Sequence, residues 1–135
     1  MLKSEMDRLG IVYPGMPDAD RLNVFRELRG KLLRLADQQN FVCMVSTLDP
    51  KGDSGALSVN LGAVFAFDPS KSAVVIDCDV EHTLIDELLV ARDEEHGLIQ
   101  FIEGGAENAG DLIGETGISR LRLIPSGFNS ETRVE

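Results

Sequence analysis

The chain has 135 residues, of which 43% are hydrophobic and 27% charged, with thirteen glycines and five prolines. That composition gives room for one folded domain and excludes a disordered tail or a fibrous repeat. Formal net charge is −10 but unevenly spread: residues 1 to 36 hold seven basic against five acidic residues, whereas residues 76 to 115 hold one against twelve. Nucleic acid would be repelled, so it is not an expected partner. Apolar runs such as Ala73 to Ile76 are too short to insert into a membrane, and no signal peptide opens the chain, which points to the cytoplasm. Cys43 and Cys78 are then expected to be reduced and buried.

Residues 1 to 19 read as an arm with a turn at Tyr13-Pro14-Gly15. From Asp20 to Ala36 the positions Leu22, Phe25, Leu28, Leu32 and Leu35 recur at helical spacing, with Pro17 and Asp18 or Asp20 at the start and Arg21, Arg26, Arg29 and Arg34 opposite. Phe41 to Ser46 lacks polar alternation, as expected of a strand covered on both faces. A turn-rich loop from Asp49 to Gly55 leads into a helix over 56–67. A second covered strand, 73–76, ends at Asp77-Cys78-Asp79. Helices are expected over 83–90, 98–102 and 108–114, and a third strand over 121–124 before Pro125. Strands alternating with helices imply an α/β three-layer sandwich with a mostly parallel sheet, Rossmann-like and of the P-loop NTPase type. No closing helix follows the third strand, so residues 20–135 are expected to be the N-terminal part of a longer domain.

Ligands of such sheets sit beyond the carboxyl ends of strands, where Pro50, Lys51, Gly52, Asp53, Ser54 and Gly55 form a glycine loop before a helix. A working P-loop needs a lysine against the outer phosphates and a Ser or Thr on magnesium. Counting back from Asn60-Leu61, those positions hold Ser54 and Gly55; matching on Lys51-Gly52 instead puts Ala56 and Leu57 there. Asp49, Lys51 and Asp53 leave the loop at −1. At an effective dielectric of about 20, one unit charge about 4 Å away is worth roughly 4 kcal/mol, on the order of a thousandfold in affinity. Strong binding of a triphosphate is not expected, and Ser54 suits a helix cap equally well. Asp77 and Asp79 could hold magnesium, or Asp79 and Glu81 could charge the next helix start. His82 and His96 lack the spacing of a metal site or a triad and read as surface histidines.

The ordered segments NVFRELRGKL, FVCMVSTLDPKGDSGALSVNLGAVFA, AVVIDCDV and TGISRLRLIPSG resemble the cytoplasmic domain of bacterial tyrosine kinases of capsule and exopolysaccharide synthesis, over residues 20 to 127. The resemblance implies ATP-dependent tyrosine phosphorylation with Mg-ATP or Mg-ADP bound. It places a degenerate Walker A motif at Ser54 and Gly55, and the two Walker A' acids at Asp77 and Asp79, with Glu81 where an arginine is usual. It also implies a ring-forming Glu-x-x-Arg-x-x-Arg helix at Asn23, Arg26 and Arg29, lacking its glutamate. Tyr13 is the only tyrosine, so no acceptor cluster is present in this sequence. The expectation is a kinase-like domain without catalysis or a required cofactor, an adaptor or regulator that pairs with itself, an active kinase or a membrane chain-length or polysaccharide-export protein. The alternatives are an active enzyme using Lys51 or a neighbour's lysine, and a module binding another anion such as a nucleotide sugar.

Overall fold

The structure, a computed structural model, describes residues 1–49, 54–79, 88, 97–105 and 107–127. It divides into two compact units, Met1–Ala73 and Val74–Glu135.

The first unit holds three helices. α1 (Lys3–Leu9) lies in what the sequence suggests is an arm without elements. Its signals are local: Leu2, Met6 and Leu9 share a helical face, the Glu5 carboxylate accepts from the Leu2 amide at 2.9 Å, and Gly10 ends the helix at φ 71°. The chain then runs through buried Ile11, Val12 and Tyr13 into a turn closed by Met16 N–H on the Tyr13 carbonyl at 3.2 Å. Pro14 and Gly15, the latter at φ 81°, supply what a type II turn requires.

α2 (Ala19–Leu35) forms where the apolar spacing predicts, and Asp18 Oδ1 caps it by accepting the Arg21 amide at 3.1 Å. Leu22 packs with Val12, Leu61 and Val64, flanked by Phe25, Leu28 and Leu32. Leu35, expected on that stripe, is instead exposed. α3 (Ser54–Ala66) is apolar nearly all round and correspondingly buried, with Val64 and Ala63 fully so.

The expected covered strand over Phe41 to Ser46 is not formed. Residues 41–47 belong to no strand, and Val42 and Met44 are more than nine-tenths exposed. Covering such a run takes a sheet neighbour on each edge and a layer on each face, whereas this unit is built of helices whose apolar sides meet each other. Among the described residues, Phe41 lies edge-on to Phe65 with ring centroids 5.6 Å apart.

The second unit carries a three-stranded sheet of β1 (Ala73–Ile76), β2 (Gly114–Glu115) and β3 (Leu121–Ile124), in the order β1-β3-β2. β2 and β3 are antiparallel, with Gly114 opposite Leu123 and Glu115 opposite Arg122, a departure from the mostly parallel sheet expected. Only 116–120 join them, too few for a crossover. Thr116 secures that connection: its Oγ1 donates to the Leu121 carbonyl at 2.7 Å and accepts the Ile118 amide at 3.1 Å. β1 is covered on one face only, since Val74 and Ile76 are about half exposed, whereas Leu121, Leu123 and Ile124 of β3 are buried.

α4 (Leu98–Ile102) docks by its first turn on the segment after β3: the amides of Leu98 and Ile99 reach the carbonyls of Pro125 and Ser126, each at 2.9 Å. Gly97 and Gly127 meet there so closely that a Cβ on Gly97 would overlap Gly127 backbone. Residues 108–114 form only a 3₁₀ turn, Ala109–Leu112, before β2. The helix expected over 83–90 lies outside the described residues apart from buried Leu88.

Candidate functional site

Of the glycine loop, Pro50, Lys51, Gly52 and Asp53 lie outside the described residues, as do Glu81, His82 and His96. Ser54 and Gly55 are the first two residues of α3. The helix they open is tied down two turns later by Asn60, which sequence reasoning used only as a register mark. Its side chain, 2% exposed, accepts the Val12 amide on Oδ1 at 2.7 Å and donates from Nδ2 to the carbonyls of Gly10 at 3.1 Å and Ala56 at 2.9 Å. A buried amide so fully engaged is inexpensive to bury and fixes where the 10–13 strap crosses α3. Its one sequence signal was a lone amide amid apolar residues.

Asp77 and Asp79 have different surroundings. Asp77 is 5% exposed at the exit of β1; its amide extends the ladder to the Ile124 carbonyl at 2.9 Å and its Oδ1 accepts the Asp79 amide at 2.9 Å. That Asx turn is a structural task for the first acid, while Asp79 is exposed. Among the described residues no three His, Cys, Asp or Glu side chains gather as metal ligands do. Cys43 and Cys78, expected buried, are free thiols at exposed positions, because the strand meant to bury Cys43 is absent and Cys78 lies beyond the end of β1.

The α2 residues separate by task. Asn23 and Arg26 are exposed, but Arg29 is partly buried and its Nη1 donates to the Val64 carbonyl at 2.5 Å, satisfying one of the carbonyls left over at the C-terminal end of α3. Arg21 likewise donates from Nη2 to the Gly10 carbonyl at 2.6 Å. Tyr13 is buried, its ring faces the Lys3 ammonium at 5.9 Å, and a hydroxyl hydrogen bond to Asp7 raises its pKa, with burial and the Asp7 charge adding to the rise. Asp68, after α3, is held below the ordinary carboxylate value by the Ser70 amide at 2.9 Å and hydroxyl at 2.8 Å, then by Lys71 and Arg29.

These elements make a small mixed α/β protein with Ser54 and Gly55 opening a buried helix and an Asp-x-Asp at a strand end. The chain is similar to the tyrosine-protein kinase CpsD of Streptococcus agalactiae, at 24% identity over 122 residues, 90% of this chain and 52% of the relative. CpsD of the serotype III strain NEM316 and of the serotype Ia strain A909 matches to the same extent. The chain thus spans about half the length of the curated relatives it matches. No family model and no solved structure matches it. The similarity is distant, and it is to proteins named as tyrosine-protein kinases. No helix among the described residues is long and apolar enough to cross a membrane.

Proposed function

We propose that this chain is a tyrosine-kinase-like protein without phosphoryl transfer that acts by contact in capsule or exopolysaccharide assembly. The similarity to CpsD over most of the chain supports the system. The loss of catalysis rests on one observation: α3 opens with Ser54 and Gly55 where a P-loop presents lysine and a magnesium-binding hydroxyl. A triphosphate at a helix N-terminus gains from the backbone amides, but without a cation its outer charge is unmatched. Weak Mg-ATP or Mg-ADP binding through the loop 50–55 is compatible with this reading, and so, separately, is magnesium on Asp77 and Asp79; turnover is not. The partners that fit are an active kinase or a membrane chain-length or polysaccharide-export protein, which would hold the chain at the cytoplasmic side of the membrane. A ring of like copies through Asn23 and Arg26 is a second mode of contact.

The competing reading is an active kinase, favoured by the kinase activity the relatives are named for and by Lys51 three residues before Ser54. Calorimetric titration with Mg-ATP, followed by a phosphate-release assay, separates the two. The adaptor reading expects weak or no heat and no release. Low-micromolar binding with turnover that Lys51→Ala abolishes would establish the kinase instead.

A further inference from the structure

Residues 41–47 run without helix, turn or bend, and among the described residues the backbone amides of 41–48 find no hydrogen-bond acceptor. Exposure varies along this run as it does along a strand. Val42, Met44 and Leu48 stand in solvent, whereas Val45 is partly buried and Phe41 rests on Phe65. The run, FVCMVSTL, holds no charge, proline or glycine, a composition that suits a strand. It leaves α2 through Asp37 and Gln38, two successive non-glycine residues in the left-handed region at φ 52° and 60°. A short hinge strained in this way favours passing the segment beyond it to another copy.

The sheet of the second unit has two edge strands, β1 and β2, and they differ. β2 is two residues long and carries Glu115, and both features blunt an edge. β1 is four uncharged aliphatic residues, hydrogen-bonded among the described residues to β3 alone, with Val74 and Ile76 about half exposed. An edge of that kind accepts an added strand through its free backbone groups.

We infer that residues 41–48 of one copy add as a strand to the free edge of β1 in a second copy. Pairing of two 41–48 segments with each other would give an isolated two-stranded ribbon, marginal in water, whereas addition to β1 extends a sheet that already has three strands. Pairing β1 with β1 would bring together two units that each hold fourteen acidic against four basic residues. The segment 41–48 arrives instead from a unit holding nine of each, so repulsion is smaller. Apolar side chains exposed on both sides, Val42 and Met44 on the strand and Val74 and Ile76 on β1, leave water together. Each copy offers one strand and one edge, so two copies close by reciprocal exchange. The contact is short, and the copies separate on dilution. The inference goes beyond the functional reading above and does not depend on whether nucleotide is turned over.

The test is light scattering of the whole chain over a concentration series, with hydrogen exchange followed at the amides of 42–48. The mass should rise from one copy to two, and those amides should slow roughly tenfold or more over the same range. Met44→Pro removes an amide from the exposed run, and Ile76→Lys puts a charge on the edge strand; each variant alone should stay at the mass of one copy. An equal mixture of the two should recover a two-copy species, because one variant keeps the edge and the other keeps the strand. Raised salt should strengthen the pairing by screening the net charge of −10 on each copy, the opposite of a contact made by the α2 arginines. A labelled peptide spanning residues 38–49 should bind the Met44→Pro chain, whose edge is open, and the same peptide with proline at 44 should not; this arm needs no change in β1. A folded parent that keeps the mass of one copy at every concentration overturns the proposal. So does an Ile76→Lys chain that still forms the two-copy species, which would place the contact between the two 41–48 segments. Slow exchange at 42–48 in the dilute monomer would put the segment in its own chain's sheet, and a dimer weakened by salt and lost on Arg26→Glu would put the contact on α2; either result ends the inference.

Discussion

Two apolar runs of the first unit have opposite fates. α3 and the segment 41–48 are both rich in aliphatic residues, yet Val64 is fully buried and Val42 and Leu48 are essentially fully exposed. α3 is buried because α2 and the 10–13 strap each present an apolar side to it, and because Asn60 and Arg29 satisfy backbone groups that burial would otherwise leave without partners. The segment 41–48 is also rich in apolar residues but, among the described residues, lies largely exposed, with Phe41 edge-on to Phe65. Apolar composition sets the gain available from burial; neighbours of the right shape decide whether it is realised.

The largest effect should therefore come from truncating the buried run. Leu61→Ala and Leu22→Ala remove side chains from the α2–α3 core and should each destabilise by about 2–5 kcal/mol, whereas Val42→Ser and Met44→Ser should stay within about 0.5 kcal/mol. Urea denaturation followed by circular dichroism measures both. A loss of core size at Val42 or Met44 would mean that this segment is packed in solution and would end the contrast.

The next effect sharpens the role of Asn60. Asn60→Leu keeps the volume but strands the Val12 amide and removes a donor from the Gly10 carbonyl, so about 2–4 kcal/mol should be lost. Hydrogen exchange should then speed at the Val12 amide, which Asn60 alone is seen to hold, more than at core amides of α3 whose partners lie within the helix. Equal protection of Val12 in the variant would show that the strap is held by packing alone.

The same contrast explains what could be read from the sequence. The bounds of α2 were legible to within a residue, and those of β1, α4 and β3 matched, because periodicity, Asp18, Gly97 and Pro125 are local signals. α1 was missed although Glu5 and Gly10 mark its ends, because seven residues give little periodicity to read. The covered strand at Phe41 to Ser46 failed for a different reason: lack of polar alternation reports what a segment would tolerate, not whether neighbours exist. That Ser54 and Gly55 lie at a helix start and Asp77 and Asp79 follow a strand was readable from sequence order, but that Asp77 folds back on the Asp79 amide was not. Nor was the assignment of Arg29 to a helix end, since an arginine's partner 35 residues away leaves no trace in the spacing.

The smallest effect lies where the buried run ends. After α3 the chain turns at Asp68, whose carboxylate accepts both the Ser70 amide and hydroxyl and lies 3.8 Å from the Lys71 ammonium. These bonds favour the charged form, so the folded-state pKa of Asp68 is lowered relative to the unfolded chain. A group lowered in this way contributes stability that is fully present above its unfolded pKa and is lost as pH falls through the folded one. Asp68→Asn should thus lower the melting temperature slightly at neutral pH, and the gap between variant and parent should close at acidic pH. The variant keeps an acceptor for the Ser70 amide but loses the charge, so the closing gap reports the carboxylate itself. Because Asp68 is only partly buried, added salt should shrink the part due to Lys71 and Arg29 and spare the part due to Ser70. A gap that persisted unchanged into acid would place the contribution of this turn in its shape, and the end of α3 would then be held without help from charge.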